Sequence, residues 1–264
     1  MRRFRDWALV LPLLALGSSW IGQTQAAVVG IATDNAAAVF GAEAAVTAAG
    51  HTPVLIASLG DPLSGFDVVW VLNTENGPPI LTAGNEINIA TYVSLGGVLS
   101  FHDRNVNQGQ SAAAYIPGAG GITFVSNFSD NIDVVTPGTL VTNGPAGVID
   151  DTTLDGGGFS NQGYAQVATL PVGATHIFSD GDATHAVDFT YQFGAGFVYY
   201  SSIPLDAFLE GGGNPFATIY ATNEVAYQVS LAQPSTAPIP EPTSLAIWSL
   251  VGLISLALLR QRHR

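Results

Sequence analysis

Up to residue 104 the chain alternates between short, unbroken apolar runs and longer stretches whose apolar residues recur at helical spacing. Val28–Ala32 is a β-branched run ending at Thr33-Asp34-Asn35, and Ala36–Ala49 is alanine-rich with Val39, Phe40 and Val46 spaced as on a helix. Asp34 or Asn35 is placed to cap this helix and Gly50 to end it. His51–Ala57 reads as a second strand. Asp67–Leu72 is apolar without alternation, as expected of a strand covered on both faces. Ile80–Leu95 reads as a helix with Asn85 and Glu86 near its start and Ile87, Ala90, Tyr92 and Val93 toward the sheet. Gly96-Gly97 stops it, and Val98–Phe101 is the next strand. Such alternation predicts an α/β domain on a doubly wound, mostly parallel, flavodoxin-like sheet with right-handed crossovers.

After Arg104 the pattern loosens. Ser111–Ile116 reads as a short helix, and residues 117–175 are rich in Gly, Thr, Asn, Asp and Pro. Strand-like fragments occur there at Ile122–Val125, Ile132–Val135, Thr139–Val141 and Ala165–Ala168. Their short, widely spaced apolar runs argue for an irregular β-rich insertion, not a second core. Thr175–Ser179, Ala186–Tyr191 and Phe197–Ser202 read as strands and Asn214–Val229 as a closing helix. The aromatic group Tyr191, Phe193, Phe197, Tyr199 and Tyr200 fits core and strand edge better than a sugar-stacking platform.

The two ends carry other signals. Met1–Ala27 has an arginine-rich start, an apolar run and small residues at its close, the pattern of a secretory signal peptide. Residues 233–242 form a Pro/Ser/Thr linker, and residues 243–264 an apolar helix that could span a membrane, followed by a basic tail. Between them lies one domain, residues 28–232. With no cysteine there is no disulfide, thiolate metal site or cysteine nucleophile. Residues 27–242 hold one arginine, Arg104, no lysine and 19 carboxylates, a net charge of −18. That balance excludes nucleic acid as a partner.

Pro240-Glu241-Pro242, the apolar helix and the arginine tail together resemble the PEP-CTERM sorting signal of Gram-negative bacteria. The resemblance implies processing by signal peptidase and exosortase, and an inner-membrane-anchored precursor that passes to the cell surface or outside. It also implies a setting of exopolysaccharide and biofilm, with polysaccharide as a candidate partner. In the body of the chain, Tyr-Val-Ser-Leu-Gly-Gly-Val-Leu-Ser-Phe-His at 92–102 and Gly-Ala-Gly-Phe-Val-Tyr-Tyr-Ser-Ser at 194–202 are similar to the trehalose-utilisation (ThuA-like) branch of the class I glutamine amidotransferase-like fold. In that branch a glycine pair leads through a strand to a histidine, where true amidotransferases carry the nucleophilic cysteine. The missing cysteine removes glutaminase chemistry.

If the strands are parallel, their carboxyl ends bring together Asp34, the loop from Asn73 to Asn76, His102-Asp103-Arg104, and Ser202 with Asp206. His102 has the chemistry of a general base or metal ligand, with Asp103 or Glu75 as its acidic partner. Arg104 suits either a substrate carboxylate or an internal pair with Glu75 or Asp103, and the excess of carboxylates favours the pair. Asn73, Asp34 and Asp206 complete a substrate-binding rim. A Ser-His-Asp set from Ser202, His102 and Asp206 lacks the Gly-x-Ser-x-Gly elbow. The acidic stretches Asp150–Gly156 and Ser179–Asp182 miss the calcium-loop spacing. The expectation is an exported surface protein with a non-catalytic binding or matrix module and no cofactor. The alternative is a hydrolase or sugar-modifying enzyme using His102, with or without a divalent metal.

Overall fold

The structure, a computed structural model, describes residues 26–73, 81–106 and 114–232. The expected signal segment to residue 25, Glu75, part of the expected helix at 111–116, and the linker, Pro240-Glu241-Pro242 and tail lie outside the described residues. Among the described residues no helix is long and apolar enough to cross a membrane.

The first part of the domain follows the expected alternation. It runs β1 (Val28–Thr33), α1 (Val39–Ala48), β2 (Thr52–Leu55), β3 (Val68–Asn73), α2 (Asn85–Ser94) and β4 (Val98–Asp103). Then come β5 (Phe124–Ser129), β6 (Asp133–Val134), β7 (Asn143–Gly144), β8 (Gly147–Val148), β9 (Asn161–Gln166), β10 (Thr175–Ser179) and β11 (His185–Ala186). The chain closes with β12 (Asp188–Phe193), β13 (Gly196–Ser201), α3 (Leu205–Gly211) and α4 (Ala221–Leu231), the last entered through a π-helical turn at Phe216–Tyr220.

One eight-stranded sheet, in the order β2-β1-β3-β4-β13-β12-β10-β6, organises the domain. Its first five strands are all parallel. The last three pair antiparallel, because β12 and β13 are joined by a tight glycine turn rather than a crossover. The fold is mixed α/β with a mostly parallel central sheet. Strands β5, β9 and β11 form a second, three-stranded sheet, and β7 with β8 a hairpin.

Side chains divide between the two faces of the sheet, as strand geometry requires. Val29, Ile31, Val68, Trp70, Leu72 and Val98 pack beneath α1, α3 and α4. Val69, Val71, Leu99 and Phe101 pack against Ile89, Tyr92 and Val93 of α2, and Phe124, Ala165 and Ala186 of the three-stranded sheet continue that layer. Unbroken apolar strands are therefore covered on both sides.

Several local expectations change. Ile89, not Ile87, faces the sheet from α2, and Phe40 of α1 points to solvent. Asn35 makes the turn before α1 by accepting from the Ala37 N–H through Oδ1 and from the Ala38 N–H through its carbonyl. Gly50, at φ 86°, ends the helix as expected, and the His51 N–H reaches back to the Val46 carbonyl at 3.0 Å. Thr139–Val141 is a turn region, not a strand, and α3 is an element the hydrophobic pattern does not predict. The insertion is woven in: β6 closes one edge of the main sheet while β5 and β9 build the second.

The turn from α2 into β4 leaves no room beside it. A Cβ on Gly196 would overlap the backbone carbonyls of Gly97 and Val93. Gly196→Ala is expected to destabilise by about 3 kcal/mol, the upper range for overpacking. Gly211→Ala, whose Cβ would meet nothing within 4 Å, should shift stability by less than about 0.5 kcal/mol. Equal midpoints for the two variants in urea unfolding would contradict this packing.

Candidate functional site

The strand β4 runs on through Asp103, so His102 and Asp103 are not loop neighbours but strand residues on opposite faces. The expected cluster of three ionisable groups is split by this alternation. Val98, Ser100 and His102 look toward α4, while Leu99, Phe101 and Asp103 look toward α2.

His102 is buried between the sheet and α4. Its Nε2 lies 2.9 Å from both carboxylate oxygens of Glu224, and its Nδ1 lies 3.1 Å from the Ile203 carbonyl oxygen. The Ile203 carbonyl can only accept, so Nδ1 carries a proton, and Nε2 shares a second proton with the Glu224 carboxyl group. Burial alone would lower its pKa. The charge and hydrogen bond of Glu224, helped by Asp188 and the Ile203 carbonyl, outweigh burial and raise it. The Glu224 carboxylate is further held by Ser100 Oγ at 2.8 Å and by the Gln228 amide.

Beside this pair, across the sheet, lies a second buried carboxyl. Asp188 Oδ2 accepts from the phenols of Tyr199 and Tyr220, each at 2.6 Å, and Oδ1 has no hydrogen-bond partner among the described residues. Burial pushes the Asp188 pKa up to about 6, against the opposing pull of these hydrogen bonds and of His102. The expected aromatic run thus supplies core: Tyr191, Tyr199 and Tyr200 are buried.

At the carboxyl ends of the strands a separate rim cluster forms. Arg104 Nη1 pairs with Asp206 Oδ2 at 2.9 Å, a partner not among those expected, while Glu75 lies outside the described residues. The reason is directional, since Arg104 follows the end of β4 and reaches across to α3, whereas Asp103 is turned to the other face. Asn35 Nδ2 donates to the same Asp206 oxygen at 3.2 Å and to Glu210. Burial raises the Asp206 pKa, offset in part by Arg104 and Asn35. Arg104 keeps 20% of its side chain exposed.

On the α2 face of the same rim, Asp103 accepts from the Asn105 N–H at 3.0 Å and from the Tyr200 phenol at 3.2 Å. Asn73, in register with Asp103 on the adjoining strand, is only 5% exposed, and its Nδ2 has no hydrogen-bond partner among the described residues. Asp34 follows the end of β1, the next strand over. Asp34, Asn73, Asp103, Arg104 and Asp206 therefore do converge on one end of the sheet, and His102 is withdrawn beneath it. Such a rim can hold a ligand by hydrogen bonds. Asp206 is paired with Arg104, and Asp103 accepts from Tyr200 and Asn105.

The remaining expectations resolve as follows. Ser202 Oγ donates to the Gly163 carbonyl and His102 is paired with Glu224, so Ser202, His102 and Asp206 do not form a Ser-His-Asp set. Asp150 and Asp182 cap their own turns through Thr152, Thr153 and Thr184. Among the described residues no group of three or more His, Asp or Glu is placed to hold a metal. Glu224 is absent from the expected set, although it is the one charged residue in the otherwise uncharged stretch Asn214–Val229, itself a sign of a buried partner. Asn35 and Asp188 carry no such signal.

No family model matches this sequence, and no curated protein does either. Solved structures do resemble the fold. The cytoplasmic protein STM1381 from Salmonella typhimurium LT2 superposes with a TM-score of 0.51 at 10% identity, over 78% of this chain and 99% of that one. A protein assigned as a GMP synthase component from Thermoplasma acidophilum gives 0.50 at 12%, over 78% and 95%. Exo-β-1,4-mannosidase Op5Man5 from Opitutaceae bacterium strain TAV5 gives 0.50 at 13%, over 80% of this chain but 36% of the enzyme. The chain thus spans little more than a third of the mannosidase. At these identities the likeness is one of fold, and the fold is glutamine amidotransferase-like.

Two consequences are measurable. Glu224→Ala removes one member of the buried His102–Glu224 pair and is expected to cost about 3–5 kcal/mol of stability. The Asp188 pKa is raised above its unfolded value, so its stabilising contribution is complete below about pH 4 and is lost as the pH rises through about 6. The stability of the wild type relative to Asp188→Asn should therefore increase as the pH falls from 7.5 to about 4.5. A pH-independent difference in urea unfolding would remove the basis for this assignment.

Proposed function

We propose that this chain is an exported surface protein whose amidotransferase-like domain, of the ThuA-like branch, is a binding or matrix module and not an enzyme. One observation carries the reading. His102, the best base in the sequence, is buried with both nitrogens committed to Glu224 and to the Ile203 carbonyl. Neither nitrogen is offered to a substrate, and a base must reach the proton it takes. The hydrolase alternative built on His102 loses its central group.

The rim of Asp34, Asn73, Asp103, Arg104 and Asp206 is what remains to meet a ligand. It is rich in acceptors and has an amide with an unused donor, which suits an uncharged, hydroxyl-bearing molecule better than an anion. This chemistry fits a polysaccharide partner. Export and sorting rest on the sequence of the two ends, with Pro240-Glu241-Pro242 as the exosortase motif.

Two experiments test the proposal. The purified full-length chain, incubated with chromogenic glycosides and esters, is expected to release no product above the background of heat-treated protein. Turnover that stops with Asp103→Asn in a folded variant would replace the binding module with an enzyme. In an exosortase-bearing Gram-negative host the wild type is expected to leave the inner membrane, and a Pro240→Ala, Pro242→Ala variant to stay there. Identical fractionation of both would sink the sorting claim.

A further inference from the structure

The outer face of the three-stranded sheet carries a strip of side chains that neither the core nor the strand-end rim uses. On β9, Ala165 points into the core with Phe124 and Ala186, so Tyr164 and Gln166 point outward. Val125 lies opposite Tyr164 and His185 opposite Gln166, on the same outer face.

This face is ordered by specific contacts. The His185 ring stacks on Tyr164 with centroids 3.5 Å apart and planes 9° from parallel. Its Nδ1 is held 2.9 Å from Asp180 Oδ1, and the other oxygen of Asp180 accepts from Asn127 Nδ2 at 3.1 Å. Asp182 Oδ2 lies 3.8 Å from His185 Nε2. The Tyr164 phenol and the Gln166 amide form no hydrogen bond with another described residue. Next to Asn127, Phe128 meets Phe159 edge to face at 5.3 Å, yet the two keep 51% and 58% exposure.

Phe159 precedes β9 and Gln166 ends it, so the strip runs along the strand for roughly 17 Å at the usual rise per residue. Along it, aromatic planes alternate with planar polar groups: Phe159 and Phe128, then Asn127 and Asp180, then His185 on Tyr164, then Gln166. Two exposed phenylalanines held against each other present apolar C–H surface a partner can cover. The amides, the carboxylate and the phenol beside them want hydroxyl partners.

Charge narrows the occupant. Asp180 and Asp182 sit in the strip, and Arg104, the only arginine or lysine among the described residues, belongs to the rim of the other sheet. Among its Asp, Glu, Lys and Arg side chains the strip holds only carboxylates, which disfavours a phosphate, a uronate or a nucleic acid. A ligand that has both apolar C–H faces and rows of uncharged hydroxyls matches the alternation.

We infer that this strip is a binding site for a neutral polysaccharide chain, lying along β9 and gripped between Phe128–Phe159 at one end and Tyr164–His185 at the other. The inference rests on the binding-module reading and locates its ligand on the inserted sheet.

The test is affinity electrophoresis of the full-length chain in detergent through gels containing dextran, laminarin or galactomannan, with alginate as the anionic control. At least one neutral polymer is expected to retard the wild type and alginate to leave it unaffected. Retardation should weaken by about tenfold or more in Phe128→Ala/Phe159→Ala and in Tyr164→Ala, with melting temperatures within about 2 °C of the wild type. Failure of all three neutral polymers, equal retardation by alginate, or retardation that survives both variants overturns the strip. Binding lost with Asn73→Ala but kept by Tyr164→Ala also overturns it and moves the ligand to the strand-end rim, leaving the binding-module reading intact. Catalytic turnover of a chromogenic substrate would instead sink that reading itself.

Discussion

A glutamic acid side chain and a histidine, both shut away from water and sharing a proton, bind α4 to the middle of the sheet. Glu224 hangs from the helix, His102 stands on β4, and Ser100 and Gln228 complete the carboxylate's hydrogen bonds. A pair of this kind adds little net stability over a well-packed apolar contact, but separating its members is expensive. The helix can neither slide nor turn without leaving a charge in the interior. Around this attachment Tyr220 ties the turn before α4 to Asp188 of β12, and Asn223 ties α4 to Val141, Ala146 and Gly147.

The same attachment decides which chemistry reaches the surface. The group best suited to move protons is spent inside, and what emerges at the strand ends is a set of carboxylates, amides and one paired arginine. These groups accept and donate hydrogen bonds. Strand alternation then sorts them further, sending Asp103 to Tyr200 on one face and leaving Arg104 to Asp206 beyond the strand end.

The inserted region is a structural partner, not an ornament. Through β6 it completes one edge of the main sheet, and through β5 and β9 it covers the face that α2 leaves open. Building that second layer frees its outer face, where aromatic and polar side chains are held by Asp180 and by stacking instead of being buried. Two surfaces that carry carboxylates and amides result, one at the strand ends and one on the added sheet.

The order of strands and helices up to β4, the parallel pairing there and the burial of β3 and β4 were legible in the sequence, because apolar runs and helical periodicity are local consequences of being covered. Gly50 and Gly96-Gly97 as helix stops were legible for the same reason. Which helix face turns inward was not legible at Ile87 and Phe40, since neighbouring apolar residues satisfy the same periodicity. The site depended on distance. That His102 faces Glu224, 122 residues away, and Arg104 faces Asp206, 102 away, is set by strand register and helix placement, which no local pattern encodes. The chain's own residues determine that a histidine, an arginine and several carboxylates lie near one end of a sheet. Only the tertiary structure decides which of them are exposed, because alternation, a strand two residues longer than expected and a buried carboxylate take the histidine out of solvent's reach.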